Sequence, residues 1–448
     1  MASLWQAECK SPSFAALDRD IKTDVAIIGG GMAGILTAHM LKSMGIDCVI
    51  AEKNTVGSGT TAGTTAKITS QHGLIYHKLL KQSGRHYAEL YYKLNQAAVK
   101  KFRSLAEKYP CNLESKDNFI YTTDSRTKIY EEIQALYEIG ADAELFDSLP
   151  VPFTVAGAVC FPDQAQFNPL MLLYALAKEL TVYENTLVKD IRDNTLITDR
   201  GSIRAEKIIV ASHFPFIDRR GMFFMKMYQH RSYCLAVENA PDFDGMYLDE
   251  KTDGVSLRTS GKHLIIGGGD HRTGKKGGCF DAVRVIKDKY FPEAREAYNW
   301  AAQDCMTLDC VPYVGQYSKN SPKLYVATGF NKWGMTSSMV AAELLTDLVS
   351  DKQHPAQELY SPQRSMLHPQ LIVNGLDFAA SVLTPIPKRC THLGCALKYN
   401  KAEKTWDCSC HGSRFGEDGT VLDGPATKDI LSPLFRLTSF FFRIIISL

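Results

Sequence analysis

Four residues late in the chain have the types and spacing of a metal centre. Cys390-Thr391-His392 and Cys408-Ser409-Cys410-His411 give C-x-H, a spacer of fifteen residues from Leu393 to Asp407, and C-x-x-H. A zinc finger groups two cysteines in one arm and two histidines in the other. Here each arm offers one thiolate and one imidazole. That division suits a two-iron cluster with one iron on two cysteines and the other on two histidines. The same ligands could hold zinc, with Cys395 and Cys410 left over as an extra pair, one in each arm.

A second pattern lies near the start of the chain. Gly29-Gly30-Gly31-Met32-Ala33-Gly34 follows the apolar run Asp24 to Ile28 and precedes the helical pattern of Ile35, Leu36, Ala38, Met40 and Leu41. A second apolar run, Asp47 to Ala51, ends at Glu52, eighteen residues beyond Gly34. Strand, glycine turn, helix, strand and acidic residue together form the dinucleotide fingerprint in its working context. Gly29 permits the tight turn, Gly31 lets backbone approach a pyrophosphate, and Gly34 lets the helix pack closely. Glu52 is placed to accept hydrogen bonds from a ribose diol, and the helix start offers N–H groups and partial positive charge to phosphates. Fingerprint alone does not choose between NAD and FAD.

The elements that must position these groups follow from periodicity. Helical stretches are expected at 78–108 and 125–139, a buried strand at 203–211, and a strand at 323–328 leading through Gly329 into a helix of Ser338, Ala341, Ala342, Leu344, Leu345 and Leu348. Gly267-Gly268-Gly269-Asp270 resembles a second nucleotide loop, but Arg272 stands where a third small residue is needed and Gly274, Gly277 and Gly278 would break a following helix. A hairpin or loop beside an antiparallel sheet is expected there, leaving one dinucleotide site. Residues 351–389 form a mixed linker with five prolines, containing a helix-like run from Asn374 to Val382.

Composition excludes several classes. The 448 residues are 45% hydrophobic and 22% charged, an ordinary globular balance. With Lys+Arg 51 against Asp+Glu 49 the net charge is +2, so no basic excess draws the chain to nucleic acid. Glu8 and Lys10 interrupt what a secretory signal would keep apolar, and Arg436 and Arg443 interrupt the apolar tail at 431–448, so no membrane span and a cytoplasmic location are expected. Twelve cysteines are too dilute for a disulfide scaffold, and most are expected as small core residues.

The segments 390–395 and 408–415, followed by Gly424-Pro425-Ala426, resemble the Rieske [2Fe-2S] family. The resemblance implies Cys390, His392, Cys408 and His411 as ligands, Cys395 and Cys410 as a disulfide, and Ser413 as a donor toward a cluster sulfur. Phe415 stands where high-potential members carry Tyr, which implies a lower potential. Against this, Pro387 lies three residues from Cys390, where strands would normally precede the ligand loop, and the tail departs from the family pattern. A shortened module that holds no cluster is the rival reading.

Residues 21–351 resemble the D-amino-acid-oxidase-like (DAO) family of FAD-dependent oxidoreductases. The likeness rests on the fingerprint, the Gly57 to Thr69 stretch, Asp309-Cys310-Val311-Pro312-Tyr313-Val314-Gly315, and the Ala327-Thr328-Gly329-Phe330 turn. With the late module, the chain resembles bacterial FAD oxidoreductases fused to a Rieske domain. That implies an α/β fold: a Rossmann-like FAD-binding domain with an antiparallel-sheet substrate domain, interleaved over 1–352, a linker at 353–385, and a small, truncated all-β Rieske-like domain at 386–448. It implies FAD held by Gly29, Gly31, Gly34, Glu52, Lys53, Thr65, Ala66, Val188, Gly329, Gly334 and Met335. Near the flavin the candidates are His72, Lys67, His230, Arg231, His271, Arg272 and Trp333; His72 is a candidate catalytic residue, and Arg231 or Arg272 is expected to clamp a substrate carboxylate. The expected activity is hydride transfer from a small amine or amino acid to FAD, with electrons passed singly through the cluster to a one-electron redox acceptor. The alternatives are an electron-carrier or redox-sensing flavoprotein without turnover, and a flavin oxidase with a non-functional Rieske remnant.

Overall fold

The computed structural model describes residues 2–217 and 220–430; the expectations for the 431–448 tail lie outside the described residues. Strand β1 (Ile21–Ile28), helix α1 (Met32–Ser43) and strand β2 (Cys48–Ala51) form the first βαβ unit. Ile27 and Ile50 are fully buried, as are Ile35, Leu36 and Leu41 on α1. Each such side chain contributes roughly 1.5–3 kcal/mol on burial. β1 pairs in parallel with β2 on one side and with Ser202–Val210 on the other, and Leu324–Thr328 extends the sheet. Parallel neighbours need covered faces, which explains the apolar runs where these strands are buried, at 25–28, 48–51 and 208–210.

A second, mostly antiparallel sheet contains β3 (Met227–Glu238), β4 (His263–Arg272) and β5 (Arg295–Thr307), with β3 between the other two. Of the two forms expected for the second glycine run, the structure has the hairpin: Ser256–Ser260 pairs antiparallel with β4, and Gly267, Gly268 and Gly269 lie inside β4. Their lack of side chains is a packing requirement: a Cβ on Gly267 would lie 2.5 Å from Ser256 Oγ and one on Gly269 2.3 Å from the Cys279 carbonyl oxygen.

Helix α2 (Gly334–Val349) follows the Gly329 turn and packs on α1. Helix α3 (Pro369–Leu383) lies in the segment expected as a linker, with Pro369 at its first turn and the His368 side chain accepting from Gln370 N–H. Beyond it, Leu397–Asn400, Thr405–Cys408, Arg414–Phe415 and Val421–Asp423 pair in that order into a small antiparallel sheet. Phe378 and Val382 of α3 pack on its core, in the place where preceding strands were missed in the sequence. Among the described residues no helix is long and apolar enough to cross a membrane.

Candidate functional site

The glycine turn closes β1 against its neighbours. Gly29 has φ 113° and its N–H donates to the Ala51 carbonyl at 2.9 Å, while a Cβ on Gly34 would sit 2.0 Å from the Gly29 carbonyl oxygen. α1 therefore begins in direct backbone contact with the strand end. Its N-cap, Gly31, supplies no capping side chain; Thr61 Oγ1 accepts from Met32 N–H at 3.1 Å, a contact the sequence reading missed. Glu52 accepts from the Gly30 and Asn54 N–H groups at 2.7 and 2.9 Å, and burial pushes its carboxyl up.

These groups open onto a cavity of about 810 Å³, within the size range of cofactor clefts. Gly29, Gly31, Glu52, Lys53, Thr65, Val188, Gly334 and Met335 line it. Gly34, Ala66 and Gly329 stand behind its wall: Gly34 against Gly29, Gly329 (φ 73°) in the turn before α2, and Ala66 with its carbonyl accepting from Arg258 at 2.8 Å. The donor set fits FAD, with backbone and a helix start for the phosphates, a half-buried acid for the ribose, and only the Thr61 hydroxyl near the position a Cβ of residue 31 would take.

Of the candidates near the ring, Lys67, His72, Arg231 and Trp333 line the cavity, while His230, His271 and Arg272 do not. His72 lies stacked on Trp333 with centroids 5.1 Å apart. Its Nδ1 meets Tyr91 Oη at 2.6 Å and its Nε2 meets Thr336 Oγ1 at 2.8 Å. Burial pushes the imidazole down to about 3, so it is neutral and fully engaged, holding the indole in place.

Lys67 is buried, and its Nζ donates to Thr65 Oγ1 at 3.2 Å. Burial, helped by Arg258, pushes it down to about 7 from 10.5. The unfolded chain then binds more protons between those values, so this residue adds stability as pH rises from 7 toward 10.5. Lys67→Met removes that component: the gain in melting temperature between pH 7 and pH 9 is smaller in the variant by a few degrees, which differential scanning fluorimetry measures.

Both arginines expected to clamp a substrate carboxylate are engaged by the late module instead, which corrects that expectation. Arg231 Nε donates to Glu403 Oε1 at 3.0 Å, Tyr233 Oη donates to the same oxygen at 3.1 Å, and Arg414 donates to Glu403 Oε2 at 2.7 Å. Arg272 pairs with Asp377 of α3 at 2.9 Å and donates to the Ser409 carbonyl at 3.3 Å. Gln229 Nε2 donates to the His411 carbonyl at 2.6 Å and Gln303 Nε2 to the Gly412 carbonyl at 2.9 Å. Gln229 and Gln303 carried no signal in the sequence, since a glutamine on a strand is ordinary until its partner is known. The loop 423–427 of the same module lines the cavity.

The four metal-ligand candidates form two close pairs. The His392 and His411 rings lie 5.0 Å apart at 85°, and the Cys390 thiol contacts that of Cys408. His411 Nδ1 is buried with no hydrogen-bond partner, and burial pushes the imidazole down to about 3, leaving the neutral form that ligates iron. Phe214, Phe224 and Phe378 surround its ring at 6.0–6.3 Å. Two thiols and two imidazoles, with the Nδ1 of His411 buried and unpaired, fit a [2Fe-2S] cluster. The sulfurs of Cys395, Cys408 and Cys410 lie within 4.8 Å of one another, with all three as thiols.

Ser413 is fully buried, and its hydroxyl oxygen accepts from Ala426 N–H at 3.0 Å while reaching the Cys390 sulfur. A donor to a ligand sulfur stabilises the reduced, more negative cluster. Ser413→Ala is expected to lower the midpoint potential by about 60 mV, the one-electron equivalent of a ~1.4 kcal/mol hydrogen bond. A redox titration followed by electron paramagnetic resonance reads it.

Residues 24–348 match the family described as FAD dependent oxidoreductase (DAO), and residues 379–440 match the Rieske [2Fe-2S] domain. The chain belongs to the DAO family of FAD-dependent oxidoreductases and carries a C-terminal Rieske domain, so its cofactors are FAD and a [2Fe-2S] cluster. It is 35% identical to YhfW of Bacillus subtilis (strain 168), named for its Rieske 2Fe-2S iron-sulfur character, over 95% of this chain and 96% of that one. Gamma-glutamylputrescine oxidoreductase of Escherichia coli (strain K12) is 23% identical over 76% of this chain and 86% of its own. The crystal structure of glycine oxidase from Geobacillus kaustophilus superposes with a TM-score of 0.65 at 22% identity, covering 77% of this chain and 99% of that one.

Proposed function

We propose that this oxidoreductase removes a hydride from the carbon beside nitrogen in a small amine or amino acid and passes the electrons through its Rieske cluster to a one-electron acceptor. Bound FAD accepts two electrons as hydride and releases them singly, which suits it to a donor on one side and an iron–sulfur centre on the other. The observation that carries this reading is the seating of the ligand loop. Strands β3 and β5, which wall the cavity, donate from Gln229 and Gln303 to the carbonyls of His411 and Gly412. The backbone at His411 and Gly412 is thus bound to strands that wall the cavity, and three phenylalanines pack around the His411 ring. Relatives named for gamma-glutamylputrescine and glycine support a nitrogen-bearing donor.

In this scheme Trp333, held by His72, orders one wall, and loop 423–427 excludes water from the opening. The ligands are Cys390, His392, Cys408 and His411, and the Cys395–Cys410 pair ties the two ligand loops when oxidised. The test is anaerobic incubation of the full-length holoprotein with an amine and amino-acid panel. Bleaching of the flavin band followed by a reduced-cluster resonance is expected. No bleaching with any donor would leave an electron carrier or sensor, and bleaching without cluster reduction a flavin oxidase with an idle module.

A further inference from the structure

Successive residues of a strand face opposite sides of the sheet. On β5, Gln303 and Asp304 leave opposite faces of the sheet and both line the cavity; the Gln303 amide reaches the iron–sulfur module. Among the described residues its carboxylate makes no hydrogen bond and no ion pair, and burial pushes its pKa up. The neighbouring charges are committed elsewhere. Lys332 pairs with Asp270, which also accepts from Ser232 Oγ at 3.1 Å. Arg231 is held by Glu403 and Arg272 by Asp377. The ring nitrogens of His213 meet Thr60 Oγ1 at 3.4 Å and Gln229 Oε1 at 3.3 Å. His230, opposite Asp304 in the β3–β5 register, is pushed down to about 3 by burial first and is neutral.

Of the charges on this cavity, Lys332 is paired with Asp270 and Arg231 with Glu403, while Lys67 donates to Thr65 Oγ1, so the Asp304 carboxylate is left without a protein partner. Asp304 is half-buried, and a carboxylate without a protein partner that faces a cofactor-sized cavity is suited to a cationic group of the ligand. The reacting nitrogen is a poor candidate, because its lone pair must be free when hydride leaves, and a fixed anion beside it would hold the proton on. Resting on the amine-oxidation reading, we propose that Asp304 anchors the second, non-reacting ammonium of a diamine-type substrate. Recognition at this end is of a cation, where an arginine clamp would have selected a carboxylate.

The test compares 1,4-diaminobutane with 4-aminobutanoate and glycine on the anaerobic full-length holoprotein, reading the donor concentration for half-maximal flavin bleaching. Wild type is expected to need at least about tenfold less diamine than 4-aminobutanoate. Asp304→Asn should erase that preference, and Asp304→Glu should keep it, with flavin content confirming the fold of each. If 4-aminobutanoate or glycine bleaches at equal or lower concentration than the diamine, or if Asp304→Asn retains the preference, Asp304 is not the anchor although amine oxidation stands. Should no donor bleach the flavin, the amine-oxidation reading falls, and this assignment falls with it. If Asp304→Asn does not fold, the wild-type comparison and Asp304→Glu still decide.

Discussion

In Glu403→Ala, flavin bleaching by a donor persists while reduction of the cluster slows at least about tenfold. Glu403 sits on the seam between the two modules, bonded to Arg231 and Tyr233 on the oxidoreductase side and to Arg414 on its own. The side chains of Arg231, Glu403 and Arg414 are 4%, 14% and 10% exposed, so the group is largely screened from water. Burial alone would raise the Glu403 carboxyl, but the two guanidiniums hold it below the ordinary carboxylate range. Removing one partner of such a group leaves buried charge uncompensated, at a cost of about 3–5 kcal/mol. Arg414 keeps Asp407 as a partner at 3.2 Å, so the penalty falls mainly on Arg231 and hence on the seam. The docked arrangement loses population, and with it the proposed transfer from flavin to cluster. Stopped-flow spectra at flavin and cluster wavelengths separate the two steps. Unchanged cluster reduction would show that the glutamine contacts alone hold the ligand loop in place.

The parts of this molecule that were legible in the sequence are those whose chemistry is local. The βαβ unit is contiguous, and each glycine of its turn has a reason within a few residues; β1, α1 and β2 lie where the apolar runs put them. The proposed iron ligands share one short stretch, and their division into one thiolate and one imidazole per arm suits the cluster. Contacts across long separations were not legible. Arg231 and Glu403 are 172 apart in sequence, and nothing near either residue marks the pair. Without that partner, Arg231 looked free to bind a substrate carboxylate, and the whole clamp expectation followed from that. The hairpin at β4 was legible, but the reason for its glycines was not: their close neighbours, Ser256 and the Cys279 carbonyl, come from other segments. Asp304 escaped notice because a lone aspartate on a strand gains meaning only when its neighbours' charges are accounted for.

Gly34→Ala is expected to yield protein that carries its iron and lacks its flavin. The new methyl would lie 2.0 Å from the Gly29 carbonyl oxygen and 3.2 Å from its carbon, both backbone atoms that cannot rotate aside. Gly29 cannot retreat either, since its N–H is tied to the Ala51 carbonyl and the space behind it is filled by the Ala211 carbonyl. The start of α1 must therefore move outward by about 1.5 Å to regain ordinary contact, taking with it the N–H groups aimed at the phosphates. Overpacking of this kind costs about 1–3 kcal/mol, and the displaced dipole adds to the loss, so FAD affinity falls on the order of a hundredfold. The iron site is insulated from this change, because its ligands and its small sheet all come from residues 390–423. Iron and sulfide assays beside the flavin absorbance give the ratio directly. Retention of one flavin per chain would refute the close-contact role of Gly34, whereas parallel loss of both groups would show that the two modules fold only as one unit.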